Sequence, residues 1–431
     1  MSIAFGGIIA FVFRGANLVV ALGTLLLATR LLDDPESDAF LLGITVVGFA
    51  NAMTGGLTAA VAYQVSNQGK PAGQAFGGGL GPAIPIGALV LGIAAVIAVT
   101  NGGYLGAMAF QLGIAATAVT LNSVVAGVLL GREAFLRYNI TLVAGPLCAL
   151  VFVAAALLTV DDPGPGIAIT AYTLGQVIGL AAVALLSLPL LLERFAVSRL
   201  LATAVLAFAG LAAISSGVSY LNYRADLFVV GYFEPDGGVT TYASAAYLGE
   251  SIWQVSGSLA LATYARLGIL ERDDAAQLTA RVMRHTFLLL VILCAGVFLF
   301  ADVFEWILFP DYGGVSSALR FLLPGILIYS LAQAYSGFYT YQRGLPWVAA
   351  IVASLALVVK MVLAFALVPP IGVDGAAIAS SIGYTTAMVV ALVVFARQER
   401  LSAADIFRFG AADLDDYRSL LTRVRTTLTR A

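Results

Sequence analysis

Long apolar runs alternate with short polar or glycine-rich segments along most of the 431-residue chain. Runs such as 139–160 and 345–368 match the ~20 residues that an α-helix needs to cross a ~30 Å hydrocarbon core. The first apolar block, 2–32, is too long for the core of a signal peptide, and no basic segment precedes it. The pattern therefore predicts an all-α integral membrane protein.

Glycine and proline clusters or short charged turns separate the apolar runs and delimit the helices. The pattern predicts twelve transmembrane helices, near 3–32, 38–66, 76–100, 104–131, 138–160, 166–192, 198–233, 240–267, 283–309, 315–342, 345–368 and 373–396. An even number of crossings places both ends of the chain on the same side of the membrane.

Basic residues are distributed unevenly between alternate loops. The loops after the second, fourth, sixth, eighth and tenth predicted helices contain Lys70, Arg132, Arg137, Arg194, Arg199, Arg272, Arg281 and Arg343. The intervening loops contain no lysine or arginine, and the nearest exceptions, Arg30 and Arg320, lie on flanking helix ends. By the positive-inside rule, the basic loops and both termini face the cytoplasm of a multi-pass cell-membrane protein.

Composition narrows the class of function. The chain is 61% hydrophobic and 11% charged, whereas soluble domains carry about 25% charged residues. A net charge of −2 argues against a nucleic-acid partner. Cys148, Cys294 and His285 show no metal-ligand spacing and no disulfide pattern, so they are interpreted as structural. No catalytic constellation is present, and nothing predicts an enzyme or a metal cofactor.

A weak internal repeat with an offset near 210 residues relates the two halves of the chain. It aligns Phe13-Arg14-Gly15 with Tyr223-Arg224-Ala225. Internal duplication is common among transporters. We therefore predict an N-terminal six-helix lobe at 1–195, a C-terminal six-helix lobe at 196–397 and a cytoplasmic tail at 398–431. The mixed charged and apolar tail is interpreted either as a short helix at the membrane surface or as a solvated tail.

The repeat places one arginine of each half near the middle of the bilayer. A charge at that depth costs several kcal/mol, from ~3 to more than ~10, unless it faces water, protein or a partner. If a pseudo-twofold axis relates the lobes, Arg14 and Arg224 both face the crevice between them, where guanidinium groups could bind a phosphate-bearing substrate in bidentate fashion. The alternative is that each arginine is a structural strut within its own lobe.

Other polar residues lie at similar depth in the second half. Asp226 and Glu250 could couple transport to H⁺ or Na⁺, or could simply neutralise Arg224 or Arg14. Trp253 and Gln254 could contact sugar rings, with aromatic core packing as the alternative. For Lys360, its long stem favours snorkelling toward the outer face.

Three segments of the second half resemble those of a known transporter family. They are NYRADLFVVGYF at 222–233 with Tyr242, Ala245 and Glu250; FPDY at 309–312 with Pro324-Gly325; and GVDGAAIA at 372–379 with Tyr384. Together they resemble the signatures of Wzx-type polysaccharide flippases, within the multidrug/oligosaccharidyl-lipid/polysaccharide (MOP) exporter superfamily. Thr241 precedes Tyr242 where the family commonly has a Gly-x pair, and Pro310 stands where a glycine is usual. Both departures bear on the subfamily.

The resemblance implies two six-helix bundles that rock between inward-open and outward-open states. It implies a polyprenyl-(di)phosphate-linked saccharide as the cargo, with Arg14 and Arg224 on the phosphate and the lipid tail left in the membrane. Membrane lipids, and a glycan polymerase or transferase, are the partners that follow from it. Any cofactor would be limited to a coupling H⁺ or Na⁺.

Three other interpretations remain open at this point. A cation-coupled multidrug exporter of the same superfamily would favour carboxylates over arginines in its cavity. A major-facilitator transporter usually has G-x-x-x-D-R-x-G-[RK] after its second helix, where this chain has SNQGKPAGQ. A non-transporting membrane scaffold for glycan assembly would have no need for charges at mid-membrane.

Overall fold

The computed structural model describes residues 3–100, 104–161 and 163–408. The first half contains α1 (Ile3–Leu31), α2 (Asp34–Ser66), α3 (Ala72–Thr100), α4 (Tyr104–Gly131), α5 (Phe135–Thr159) and α6 (Pro165–Leu191). These six helices agree with the first six predicted crossings. The part of the predicted tail beyond residue 408 lies outside the described residues.

The second half is more broken. It contains α7 (Arg199–Phe233), α8 (Gly238–Ser251), α9 (Trp253–Leu267), α10 (Arg272–Leu299), α11 (Ala301–Leu308), α12 (Val315–Tyr329), α13 (Ala332–Gly337), a π-helix (Phe338–Gln342), α14 (Trp347–Gln398) and α15 (Ala403–Phe407). Helices α8 and α9 together form the predicted eighth crossing, with an interruption at Ile252. The short α15 lies in the described part of the predicted tail, residues 398–408.

Helix α14 contains two crossings. Its 52 residues would span about 78 Å as one straight helix, far more than the bilayer core. Ile371 and Gly372 have non-helical backbone angles, and Gly372 adopts φ +57°, a conformation that glycine tolerates at little cost. Ten helical segments of the described chain are long and apolar enough to cross a membrane, α14 among them as a single segment. Counting α14 twice and adding α8–α9 gives the predicted twelve.

The helices assemble into two groups joined by α7. In the first half, α2 packs on α4, α3 on α4, and α5 on α6 and α1; in the second, α14 packs on α12 and α7. The N-terminal part of α7 lies against α2 and α3, with an added Cβ on Gly56 falling 2.5 Å from the Ala209 carbonyl oxygen. Helix α7 therefore spans both groups, and the lobe boundary at 195/196 stays a prediction.

Contacts between loops show that alternate loops share an end of the molecule. At the end with the basic loops, Arg132 pairs with Glu193. At the same end, Arg272 and Arg343 both pair with the buried Glu399. At the opposite end, Arg320 pairs with Asp302 at 2.6 Å, which accounts for one of the two exceptions to the charge pattern. Which end faces the cytoplasm remains a prediction.

The two halves meet at the end opposite the basic loops. The buried Asp38 of α2 accepts hydrogen bonds from the backbone N–H groups of Gly237, Val239 and Thr240 at 3.1, 3.2 and 2.7 Å, and from the Thr240 hydroxyl at 2.6 Å. A carboxylate at this position satisfies the free N–H groups at the start of α8 and complements the helix dipole. Asp38 thus caps a helix that belongs to the other half of the chain.

Asp38→Ala should weaken this junction because it leaves three buried N–H groups without an acceptor, at a cost of about 1–3 kcal/mol. The measurements are Tm in detergent and amide hydrogen exchange over 237–240, which should become faster. Asp33→Ala is the control, since Asp33 is exposed and its side chain makes no cap hydrogen bond. Unchanged exchange at 237–240 would contradict the capping role.

Candidate functional site

A cavity of about 480 Å³ lies between α1 of the first half and α7, α8, α9 and α13 of the second. Its charged and amide side chains are those of Arg14, Asn17, Arg224, Glu250, Gln254 and Gln333. Tyr223, Tyr247 and Trp253 supply aromatic surface. The cavity therefore combines a polar wall with rings, and both halves of the chain contribute to it.

The cavity extends from mid-depth toward the end with the basic loops. At 1.5 Å per residue, Arg224 lies roughly 14 Å from the C-terminal end of α7, and Tyr247 lies roughly 14 Å from the start of α8, which Asp38 caps. Both of these helix ends lie opposite the basic loops. Gly257 and Gln333 lie roughly 27 Å from that end. The capped junction and the cavity thus occupy different levels of the molecule.

Arg14 is the exposed charge in this cavity. Within the described part of the chain, its guanidinium makes no hydrogen bond or ion pair. Arg14 and Arg224 line the same cavity, between α1 and the helices of the second half. Their role in binding a substrate stays a prediction.

Arg224 is held by a carboxylate of the neighbouring helix. Its Nη1 donates to both oxygens of Glu250 at 2.9 and 2.8 Å, and the two side chains are 12% and 14% exposed. The guanidinium also lies over the Tyr247 ring, 4.5 Å from its centroid, in a cation–π contact. Glu250 therefore balances Arg224, one of the two roles considered from the sequence. Among the described lining residues, this leaves Arg14 as the net positive charge of the cavity.

Asp226 does not line the cavity with the other predicted residues. It lies two residues from Arg224, about 200° around α7, so it points into the interior of the second half. There its Oδ2 accepts a hydrogen bond from Lys360 Nζ at 3.0 Å. The interpretation of Lys360 as a snorkelling residue is wrong, because its side chain is fully buried. The Asp226 carboxylate neutralises the ammonium and stabilises it at this depth.

Trp253 and Gln254 both line the cavity. Trp253 also takes part in a ring cluster, with centroids 5.4 Å from Tyr223, 5.7 Å from Tyr329 and 5.6 Å from Tyr384. Its indole nitrogen donates to the Ile326 carbonyl oxygen at 3.0 Å. Trp253 therefore packs in the aromatic core and also lines the cavity. Core packing and contact with a ligand, the two alternatives considered for it, are compatible.

Several residues of the site are not among those predicted from the sequence, although helical spacing could have found them. Asn17 lies three residues after Arg14, and Tyr247 lies three residues before Glu250, so each shares a helix face with a predicted residue. Gln333 is different, because it lies on α13 just after the interruption that follows Tyr329. Nothing in the local pattern separates it from other polar residues near a helix end.

The described residues contain no group of three or more His, Cys, Asp or Glu side chains that could hold a metal ion. In the same residues, the chemistry of the cavity is that of hydrogen-bond donors, one net guanidinium and aromatic faces. Such a wall suits the recognition of an anionic and partly ring-shaped ligand.

This fold is shared with solved membrane transporters, and the titles of two of them name the MOP superfamily. It matches the structure titled "Lipid II flippase MurJ, inward closed conformation" with TM-score 0.76 at 12% identity, covering 94% of this chain and 89% of that chain. An inward-facing multidrug resistance MATE family transporter gives 0.74 at 17% identity, covering 89% and 94%. An outward-facing MATE family structure gives 0.66 at 18% identity, covering 91% and 94%.

The sequence narrows this class to one family. The family model described as "Lipid II flippase MurJ" matches residues 103–421, so the chain belongs to the MurJ family. No curated protein matches the sequence significantly. The superfamily indicated by the sequence resemblance is thus confirmed, whereas the Wzx-type assignment within it stays a prediction.

The Arg224–Glu250 pair should show strong energetic coupling because both groups are largely buried. Arg224→Ala and Glu250→Ala should each lower stability, and the double variant should lose less than the sum, by about 1–3 kcal/mol. The measurement is a double-mutant cycle on unfolding in detergent. The exposed Arg320–Asp302 pair is the control and should couple by at most about 1 kcal/mol. Equal coupling in both cycles would contradict the difference in burial.

Proposed function

We propose that this protein is a flippase that moves a polyprenyl-(di)phosphate-linked saccharide across the cytoplasmic membrane. Lipid II, the cargo in the family's name, belongs to this class and is the first candidate. The observation that carries the proposal is the exposed Arg14 guanidinium, a positive charge that no described residue compensates, in a cavity between the two halves. A lipid-linked phosphate is the anion that such a group would bind within a membrane.

The balance of charge distinguishes this cargo from the small cationic molecules of a multidrug exporter. Among the described residues that line the cavity, two guanidinium groups stand against the one carboxylate of Glu250. A bound phosphate would pair with Arg14 and compete with Glu250 for Arg224. A cationic drug would instead meet a net repulsion, so the multidrug exporter is the weaker candidate.

The remaining surface of the cavity suits a saccharide. Trp253 and Tyr247 offer ring faces, and Asn17, Gln254 and Gln333 offer amide groups that both donate and accept hydrogen bonds. About 480 Å³ falls within the range of small-molecule sites, so the polar head occupies the cavity while the lipid tail stays in the bilayer. These residues would contact the head group beyond the phosphate.

Transport by alternating access fits the arrangement of contacts. Asp38 and α8 hold the halves together at one end, while the cavity extends toward the other. If the basic loops face the cytoplasm, this state receives cargo from the cytoplasmic side. The higher TM-score with the inward-facing MATE structure than with the outward-facing one supports this assignment. An H⁺ coupled through Glu250, and a glycan polymerase or transferase as partner, remain part of the proposal.

Arg14→Ala and Arg224→Ala should each abolish flipping because they remove the groups that bind the cargo phosphate. Flipping of lipid II is measured in proteoliposomes, together with complementation of a strain that lacks its flippase. Each variant must still fold and insert, as judged by Tm and membrane yield.

Arg199→Ala is the matched control, since Arg199 is an exposed arginine at the start of α7, outside the cavity. It should keep full activity. Full flipping by both cavity variants would overturn the proposed site. No flipping by the natural chain, with complementation kept by both cavity variants, would instead favour a non-transporting scaffold, which needs no charge in the cavity.

The proposed orientation has its own test. In a background with Cys148 and Cys294 replaced by serine, Asp236→Cys and Glu133→Cys place one thiol at each end, both at exposed positions. A membrane-impermeant maleimide should label Asp236→Cys in intact cells, and Glu133→Cys only after permeabilisation. The reverse result would invert the proposed topology.

A further inference from the structure

A second ion pair lies behind the cavity wall, inside the second half of the chain. Asp226 of α7 and Lys360 of α14 are both fully buried, and neither lines the cavity. The Lys360 stem is tightly packed, because an added Cβ on Gly383 would fall 2.9 Å from Lys360 Cβ. An ammonium fixed so deep has no route to water, and it therefore depends on the oxygens that surround it.

Those oxygens form a small polar cage. Lys360 Nζ donates to the Asn222 backbone carbonyl oxygen and, at 3.0 Å, to Asp226 Oδ2. The Ser380 hydroxyl lies 2.7 Å from the same Oδ2, and the Tyr242 hydroxyl donates to it as well. A carboxylate, a main-chain carbonyl and two hydroxyls are the oxygen donors that hard monovalent cations take, and carbonyls of membrane helices coordinate Na⁺ in transporters.

Two buried side-chain oxygens of α7, one of them on the carboxylate of the cage, have no hydrogen-bond partner among the described residues. They are Asp226 Oδ1 and Asn222 Oδ1. Both side chains are 0% exposed, and their spacing of four residues places them on one face of α7. Buried acceptors without donors are costly, so a cage with spare oxygens is better suited to a cation than to further neutral groups.

We propose that the Lys360 ammonium is a tethered cation that fills an oxygen-lined site for a small alkali cation, and so keeps Na⁺ and K⁺ out of it. Removal of the ammonium, with its space left open, converts the same oxygens into a site for a free alkali cation. A sodium gradient therefore has no access to Asp226 in the natural chain, and a coupling ion acts elsewhere. This inference does not depend on what the central cavity carries.

The charged and titratable groups around the cage are few. Tyr384 presents its ring 5.5 Å from Lys360 Nζ and donates its hydroxyl to the Asn222 carbonyl at 3.3 Å. Tyr329 contacts the Asn222 amide at 3.2 Å. The Arg224–Glu250 pair lies on the other side of α7. An aromatic layer with Trp253 thus separates the cage from the cavity, and ion binding in the cage can be tested without cargo.

The test compares Tm of the full-length protein in detergent with NaCl, KCl or choline chloride at equal ionic strength. Lys360→Ala and Lys360→Ser leave room in the cage, so NaCl or KCl should raise their Tm above that in choline chloride by about 3 °C or more. The natural chain should show no difference among the three salts. Lys360→Met fills the space with an apolar stem, and Lys360→Ala/Asp226→Asn lacks the carboxylate; neither should respond.

Recovery of folded Lys360→Ala only in NaCl or KCl also supports the proposal. It is overturned if the natural chain gains stability from an alkali cation as the variants do. It is equally overturned if neither Lys360→Ala nor Lys360→Ser gains from Na⁺ or K⁺, including the case in which both are recovered in no salt. A response that persists in the Asp226→Asn double variant places the cation elsewhere and also contradicts the proposal.

Discussion

The low dielectric of the bilayer interior requires each deep charge on α7 to have a partner, and the second half of the chain is organised around this requirement. Arg224 and Asp226 lie on opposite faces of the helix and pair with Glu250 and Lys360 respectively. One pair forms the cavity wall, and the other joins α7 to α14. Breaking either would leave an uncompensated buried charge at a cost of several kcal/mol, so the two pairs fix the rotation of α7 about its axis.

The twelve crossings and the alternation of basic and acidic ends follow from the sequence because both depend on bulk properties. A run of apolar residues must cross, and lysine and arginine are unevenly distributed between loops. The cavity charges were also predictable, since the repeat aligns Arg14 with Arg224. The depth of Glu250 in the membrane also follows from the sequence. Which arginine it pairs with depends on tertiary geometry.

Tertiary geometry explains the failures as well. Lys360 has no charged neighbour in sequence, and its partner Asp226 lies 134 residues away on another helix. A lysine on an isolated membrane helix would lower its free energy by snorkelling to the interface. A carboxylate on the facing helix makes the buried position of the ammonium the more stable one. The Asp38 cap could not be predicted for a similar reason. Asp38 accepts hydrogen bonds from backbone N–H groups of α8, and no side-chain pattern in the sequence marks those groups. The interruption at Ile252 likewise has no glycine or proline at the break itself to mark it.

The two related arginines are not equivalent in the structure, and the difference gives the cavity its sign. Arg224 forms an ion pair with the Glu250 carboxylate. Among the described residues of the first half, no acidic side chain pairs with Arg14. A bound phosphate would therefore gain the full charge of Arg14, while any contact with Arg224 must displace or share Glu250. In the proposed function, cargo binding would thus be linked to the state of the Arg224–Glu250 pair. The pair joins α7 to α8, the helix whose start is capped by Asp38. A change at the cavity can reach the closed end through one helix.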